Sequence, residues 1–172
     1  LLGVFKAPSS GIRKGEVINT EETAGSLSRF FSKIKHSHKN ALENIFVNVN
    51  GGNIKMQHSR GIVAVSRADN EIYQEDIDRA VKASQAVNLS PNRMILHTLV
   101  KEFIIDGVGD IRDPLGMTGA RLEVNSLIID AFSPVIKNLI KSVEAAGGSV
   151  SGLIYNPLAA GASVLSKSQK EL

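Results

Sequence analysis

Three stretches of the chain carry apolar residues at the three-to-four-residue spacing of an amphipathic α-helix. The first covers about 20–37, where Asn19 stands three residues before Glu22 in a capping-box arrangement. The second covers about 74–88, and the acidic residues of its first turn complement the helix dipole. The third begins at Ser133-Pro134, with the serine as the expected N-cap. The pattern therefore predicts three helices that each bury one face.

Other stretches alternate apolar and polar residues or are continuously apolar, which is typical of β-strands. The sequence predicts strands over 1–7, 14–19, 45–49, 62–65, 93–105, 120–131 and 151–156, one more strand directly after residues 50–53, and a final helix over 157–165. NGGN at 50–53 predicts a hairpin because Gly and Asn tolerate positive φ, and Ser-Arg-Gly at 59–61 predicts a turn. Because strands and helices interleave, the fold class is mixed α/β.

Composition narrows the functional classes only a little. Among 172 residues, Lys and Arg outnumber Asp and Glu by 20 to 17, and this net charge of +3 does not indicate nucleic acid as a partner. The basic tract KIKHSHK at 33–39 is expected to complement the dipole at the end of the first helix. The absence of cysteine excludes disulfides and thiolate chemistry, and no apolar run is long enough to cross a bilayer.

The start of the chain carries an expectation of its own. It opens on LLGVFKAPSSG without an initiator Met, and the apolar segment resembles a strand. Because termini are normally polar and frayed, this start predicts that the sequence is a piece of a longer protein.

The glycine-rich stretch DGVGDIRDPLGMTGARLE at 106–123 is the first candidate for chemistry. The spacing of its aspartates does not match a calcium loop, and GVGD is only part of a dinucleotide fingerprint without the following helix. We therefore expect a long connection that turns at Pro114 and its glycines, with Leu115 and Met117 anchoring it to the body of the domain.

No other pattern supplies a catalytic or metal site. The four histidines do not have a metal-ligand spacing, and neither G-x-S-x-G nor G-x-x-x-x-G-K-[ST] occurs. The histidines are His36, His38, His58 and His97. The sequence thus predicts no catalytic residue, no metal ligand and no residue that binds a cofactor.

Five segments together resemble the bacterial cell-division FtsA family of the actin superfamily. They are GIRKGEVIN (11–19), NVNGGNI (48–54), QEDIDRAVKASQAV (74–87), ILHTLVKEFIIDGVGDIRDPLGMTGARLEV (95–124) and LIYNPLAAGASVLSKSQKEL (153–172). DPLGMTGARLE at 113–123, the signature loop, is the most specific of these. The sequence departs from the family at LVKEF (99–103), where a proline and a glutamine usually precede the aromatic residue, and at the polar QHSRG turn.

The resemblance implies an actin-like core, with a ribonuclease-H-like fold, into which a two-layer α/β subdomain is inserted. By this match, 1–44 and 132–172 form part of the core subdomain and 45–131 form the family-specific insertion. We expect the insertion to fold alone around a core of apolar residues, namely Ile45, Val47, Val49, Ile62, Val63, Ile77, Val81, Ile95 and Ile104. A candidate interaction surface lies in the signature loop, at Asp113, Pro114, Leu115, Gly116, Met117, Gly119, Arg121 and Leu122.

The resemblance also implies what this chain lacks. Whole family members bind ATP with Mg between two phosphate loops, and neither loop lies within these residues. What is present is similar to the helix that connects the two lobes of actin-like ATPases, at Asn156, Pro157, Leu158, Ala159, Ala160 and Gly161. We therefore expect no cofactor and no enzymatic activity for this chain.

In function, the resemblance implies a cell-division adaptor on the cytoplasmic face of the membrane at the septum. The expected partners are other FtsA molecules and later division proteins such as FtsN. Contacts with FtsZ and with the membrane are expected through regions outside this chain, the latter through a C-terminal helix. The alternatives are a PilM-like pilus-assembly protein and, in a different class, a small-molecule kinase or phosphatase of the same core fold.

Overall fold

The computed structural model describes residues 3–38 and 40–170. Its elements, in chain order, are β1 (Ile12–Arg13), β2 (Glu16–Val17), α1 (Thr20–Ser37), β3 (Ile45–Val49), β4 (Ile54–Ala64), α2 (Gln74–Ser84), β5 (Arg93–Ile105), β6 (Val108–Ile111), β7 (Arg121–Phe132), α3 (Ser133–Ala145), β8 (Val150–Tyr155), α4 (Asn156–Val164) and α5 (Lys167–Lys170). They fall into two compact units. The inserted unit is Ile54–Ala131, and the discontinuous unit comprises the residues before and after it.

The discontinuous unit is organised around helix α1, whose predicted start is confirmed. Asn19 Oδ1 accepts a hydrogen bond from the Glu22 amide at 3.0 Å, so one half of the expected capping box is present. The Asn19 amide instead donates to the Gly11 carbonyl at 3.1 Å. The buried side of α1 packs through Phe31 with Leu42 and Val143, and α1 lies against α3.

Two parallel strands complete the discontinuous unit. β3 pairs with β8 from Ile45↔Val150 to Val49↔Tyr155. The hairpin predicted after β3 is therefore wrong: β3 finds its partner about a hundred residues later in the chain. Glycine and asparagine at 50–53 do form a turn, but it leads out of this sheet rather than back along it.

The inserted unit is one four-stranded sheet with the order β4-β7-β5-β6, and α2 packs on it against β4. β4 and β7 are antiparallel and in register from Ile54↔Ala131 to Ala64↔Arg121. The core between sheet and helix consists of Val65, Ile72, Ala80, Phe103, Ile105, Leu122 and Val124, with Val63, Ile77, Val81 and Ile111 packed against it.

The boundary and the core of the insertion differ from those expected. The inserted unit begins at Ile54 rather than at residue 45, because β3 is bonded to β8. Ile45 and Val47 accordingly pack in the core of the discontinuous unit. In the inserted unit, Ile62 is 53% exposed. Ile104 is half-buried, and the core instead contains its two neighbours in the strand, Phe103 and Ile105.

Several local predictions also need correction. β4 runs without a break through Ser59-Arg60-Gly61, so the predicted turn is absent. The N-cap of α3 is Phe132, and Ser133 is its first helical residue. Described residues 3–7 form no strand, since none of the described strands is hydrogen-bonded to them. Residues 1 and 2 of that predicted strand lie outside the described part of the chain.

Gly61 explains how α2 approaches the sheet so closely. A Cβ atom at this position would lie 2.1 Å from the Ala80 carbonyl oxygen and 2.5 Å from the Ser84 nitrogen, both helix backbone atoms. Beside this contact the Ser84 hydroxyl meets the Ser126 hydroxyl of β7 at 3.1 Å. Helix and sheet therefore touch backbone to backbone at a position that only glycine can occupy.

We expect Gly61→Ala to destabilise the inserted unit by roughly 2–3 kcal/mol, because the helix must move away from the strand. Gly25→Ala in α1 is the matched control, since a Cβ there meets nothing within 4 Å. The control should be neutral or stabilising by about 0.5–1 kcal/mol, as alanine favours the helix. Urea unfolding followed by circular dichroism compares the two variants, and equal stabilities would contradict this account of Gly61.

Candidate protein-interaction surface

The turn between β5 and β6 holds one end of the signature loop. Asp106 and Gly107 have φ of 48° and 91°, the positive values that a tight type I′ hairpin turn requires. The Asp106 carboxylate accepts hydrogen bonds from the amides of Ala120 at 3.0 Å and Arg121 at 2.9 Å. The carboxylate thus ties the hairpin to the residues where the loop enters β7.

The loop itself is a short series of defined turns. Asp113 Oδ1 accepts from the Leu115 amide at 3.1 Å, and the Met117 amide donates to the Pro114 carbonyl at 3.1 Å. Gly116 has φ of 76°, as the third residue of a type II turn requires. Glycine at 116 is therefore needed for backbone conformation rather than for contact with a ligand.

A second segment, residues 69–73, pairs with the loop along its length. The Ile72 amide donates to the Met117 carbonyl, and the Gly116 amide donates to the Ile72 carbonyl, both at 2.9 Å. Glu71 and Thr118 form an antiparallel bridge. The Ile72 side chain is fully buried in the core, so it anchors the paired segments to the unit. No pattern in the sequence predicts this segment, whose only signal is one apolar residue, Ile72, among polar neighbours.

Gly119 lets the loop pass close to β5. A Cβ atom there would lie 2.1 Å from Ile105 Cγ2 and 3.1 Å from Asp106 Oδ2. The Gly119 amide also donates to the Asn70 carbonyl at 2.9 Å. The signature loop is therefore held by backbone hydrogen bonds on one side and by close packing on the other.

The large apolar side chains of the loop are exposed, although they were expected to be buried. Pro114 is buried, whereas Leu115 is 53% and Met117 is 42% exposed. The prediction that Leu115 and Met117 anchor the loop is wrong, because Pro114 and Ile72 fill that role. Two large apolar side chains thus project from a rigid backbone towards solvent.

A charged network supports the segment 69–73 from the side of α2. Arg67 forms an ion pair with Asp76 and stacks over the Tyr73 ring, 4.4 Å from its centroid. Asp76 is 2% exposed, and it also pairs with Arg79 and accepts from the Tyr73 amide at 3.0 Å. Burial by itself would raise the pKa of Asp76, but the Tyr73 amide and the two guanidinium groups outweigh it and lower the pKa.

Three carboxylates lie on the loop and on the segment 69–73 that pairs with it. The carboxylate of Glu71, followed by that of Asp69, raises the pKa of the Tyr73 hydroxyl. Asp113 is exposed on the neighbouring loop. Exposed apolar groups and carboxylates therefore share this end of the inserted unit.

The last two residues of the predicted site differ in environment. Leu122 is fully buried in the core of the inserted unit and cannot contact a partner. Arg121 has a half-exposed side chain that pairs with the buried Glu123 at 2.9 Å, and Arg60 pairs with the same carboxylate. Two arginines thus neutralise a carboxylate that the sheet buries.

The predicted lobe-connecting helix is α4, Asn156–Val164, which packs against β3 and β8. Pro157 lies in its first turn, and Asn156 Oδ1 accepts from Asn48 Nδ2 at 3.5 Å. Leu158, Ala159 and Gly161 are half-buried and Ala160 is exposed. Its connecting role stays a prediction.

The comparisons with known proteins agree with one another. A family model for the SHS2 domain inserted in FtsA matches residues 51–130, which nearly coincide with the inserted unit. Over all 172 residues the chain is 37% identical to the cell division protein FtsA of Bacillus subtilis and 34% identical to that of Pseudomonas aeruginosa. Over its whole length the chain is thus similar to FtsA proteins. It spans 39% and 41% of the length of these two relatives.

A more distant FtsA and one solved structure extend the comparison. The FtsA of Escherichia coli K12 is 28% identical over the whole chain, which covers 40% of that protein. A chain of a PilM–PilN type IV pilus biogenesis complex superimposes with a TM-score of 0.53 at 12% identity, over 91% of this chain and 40% of that one. The chain therefore has the fold of the corresponding part of this actin-like structure.

Among the described residues, no three side chains of His, Cys, Asp or Glu converge in a way that could hold a metal ion. Within the same residues, no helix is both long and apolar enough to span a membrane. The features that stand out are instead the exposed loop and its acidic surroundings.

The lowered pKa of Asp76 predicts how stability responds to acid. Because folding lowers the pKa of this carboxyl group, its ionised form stabilises the fold at pH values above its ordinary pKa. That contribution is lost as the pH falls through the lowered pKa of the folded state. Asp76→Asn should therefore be less stable than the parent at neutral pH but lose less stability on acidification. The measurement is the urea midpoint at several pH values between about 7 and 3.

Asp78→Asn is the control on the same helix, since Asp78 is exposed and accepts one hydrogen bond from Gln74 at 2.9 Å. It should keep the acid dependence of the parent. An equal flattening in both variants would exclude Asp76 as its source.

Proposed function

We propose that the chain is part of an FtsA-type adaptor that polymerises and links FtsZ filaments to the membrane and to later septal proteins. The support is the sequence identity to FtsA proteins over the whole chain, together with the match of residues 51–130 to the domain inserted in FtsA. The proposed location is the cytoplasmic face of the membrane at the division site.

The share of this chain in that function is a protein-binding surface. One observation carries the proposal: Leu115 and Met117 are exposed on a loop whose backbone is hydrogen-bonded to residues 69–73. Apolar side chains on a rigid loop lose little conformational freedom on binding, so they favour recognition. The proposed partners are other FtsA molecules and later division proteins such as FtsN.

Two contacts proposed for an FtsA-type protein involve regions outside these 172 residues. Binding to FtsZ and to the membrane, the latter through a C-terminal helix, is proposed for parts of the protein outside these residues. A PilM-like function is the second candidate, favoured by the shared fold. Sequence identity separates the two, since it is 37% to an FtsA and 12% to the PilM–PilN structure.

The proposal includes no catalysis by this chain. ATP with Mg would require backbone amides from two phosphate loops around the phosphates, and the 172 residues contain neither motif. The described residues also bring together no cluster of metal-ligating side chains.

Replacing Leu115 and Met117 by serine should weaken self-association of the chain at least about tenfold, because both apolar contacts are lost. Sedimentation velocity over a range of concentrations gives the association constant. Val108→Ser is the matched control, since Val108 is 67% exposed on β6 of the same unit. Undiminished association of a folded Leu115→Ser/Met117→Ser variant would remove the loop from the proposed surface.

The chain should give no heat of binding on calorimetric titration with Mg-ATP at micromolar concentrations. A protein that contains the flanking FtsA sequence should bind it under the same conditions. A micromolar dissociation constant for the 172-residue chain would overturn the non-catalytic assignment.

A further inference from the structure

Asn50 is the one asparagine among the 172 residues that a glycine follows. Because glycine has no Cβ, the Gly51 nitrogen can approach the side-chain carbonyl carbon of Asn50 without steric hindrance. That approach closes a succinimide ring and expels the side-chain nitrogen, a reaction that makes asparagine a thermolabile residue. The sequence therefore marks Asn50–Gly51 as the pair at which ring closure meets the least hindrance.

The structure leaves the reacting groups of this pair unrestrained. Asn50 directly follows β3 and is exposed. Among residues 3–38 and 40–170, no hydrogen bond involves the Asn50 side chain or the Gly51 amide. Gly51 has φ of 134° and lies outside every helix and strand of these residues. Ring closure requires the Gly51 amide to lose its proton, and here no acceptor holds that proton in place.

The turn at Asp106–Gly107 offers a comparison within the chain. Its aspartate also precedes a glycine with positive φ, so the same ring could close there. The Asp106 carboxylate, however, accepts hydrogen bonds from the Ala120 and Arg121 amides at 3.0 and 2.9 Å. An ionised carboxylate is also a poorer target for a nucleophile than a neutral amide. Asp106 is therefore protected, whereas Asn50 is not.

Asn53 is a second comparison, only three residues away in the same turn. Its side-chain amide donates a hydrogen bond to Glu16 Oε1 at 2.7 Å. The residue that follows it is Ile54, whose branched side chain crowds the nitrogen that would have to attack. Both features oppose ring closure at Asn53, so this residue is the internal control for Asn50.

The pair lies where the chain passes from the discontinuous unit to the inserted unit, between β3 and β4. The Glu16 carboxylate is its neighbour, since a Cβ atom at Gly51 would lie 2.8 Å from Glu16 Oε1. Deamidation replaces a neutral amide by a carboxylate, so it adds a negative charge beside Glu16. The isoaspartyl product also lengthens the main chain of this connection by a methylene group.

We propose that Asn50 is a site of spontaneous deamidation in the folded protein. The Gly51 nitrogen gives up its proton and attacks Asn50 Cγ, and the bond from Cγ to Nδ2 breaks as the new N–C bond forms. Nδ2 takes a proton from solvent and leaves as ammonia. Water then hydrolyses the succinimide at either carbonyl, giving aspartate or isoaspartate without any oxidant or reductant. The modification does not depend on the proposed function.

Incubation of the 172-residue chain in mildly alkaline heavy-oxygen water tests the site. Hydrolysis of the succinimide incorporates heavy oxygen at the modified residue, and mass spectrometry of fragments produced in ordinary water gives its position. We expect labelling at Asn50 to be at least about tenfold faster than at Asn53. An isoaspartyl methyltransferase supplied with labelled S-adenosylmethionine should modify the incubated chain and not the fresh one.

Two glycine substitutions provide a variant and its matched control. Gly51→Ala should slow labelling at Asn50 at least about tenfold, because a Cβ atom hinders the attacking nitrogen. Gly52→Ala should leave the rate within about twofold of the parent, since it does not alter that nitrogen and its Cβ meets nothing within 4 Å. Because Gly51→Ala also brings its Cβ against Glu16, the parent chain unfolded in urea gives a reference that needs no substitution.

The folded and the unfolded chain together decide the proposal. Labelling at Asn50 in the folded chain within about fivefold of the rate in urea supports it, because the fold then offers no protection. Slower labelling than that overturns it. Equal rates at Asn50 and Asn53 in the folded chain, or a folded Gly51→Ala variant that reacts as fast as the parent, also overturn it.

Discussion

The antiparallel pairing of β4 with β7 is the interaction on which the inserted unit depends. It joins residues at opposite ends of the unit's sequence, from Ile54↔Ala131 to Ala64↔Arg121. This ladder brings the first and last residues of the unit together. It also places Gly61 under α2 and fixes the position at which the signature loop enters β7. Its partner strands are far apart in sequence, so their pairing carries the largest loop-closure cost in the unit.

Given that ladder, the loop is rigid because its backbone groups are paired. Its amides and carbonyls meet the segment 69–73, and the Asp106 carboxylate accepts two further amides. Burial of Ile72 and Pro114 then holds both segments against the core. Because backbone hydrogen bonds hold the loop in place, the side chains of Leu115 and Met117 are not needed for packing and face solvent.

Electrostatics organises the same region in two ways. Inside the unit, the buried carboxylates of Asp76 and Glu123 are each matched by two arginines, so neither is left unpaired in the interior. At the surface, Asp69 and Asp113 are exposed and Glu71 is half-buried. The buried carboxylates are therefore compensated by ion pairs, whereas Asp69 and Asp113 face solvent.

The helices, most of the strands and the mixed α/β class could be predicted from the sequence. Helix periodicity and the Asn19 cap are local features, so local rules predicted them. The turn expected inside β4 and the anchoring role expected of Leu115 and Met117 were wrong. Tertiary structure decided which strands pair. β3 pairs with β8 and not with β4, its neighbour in sequence. The inserted unit therefore begins at Ile54 rather than at residue 45. It also decided that Ile72 is buried and Leu115 exposed, because burial depends on what packs against a residue and not on its hydrophobicity alone.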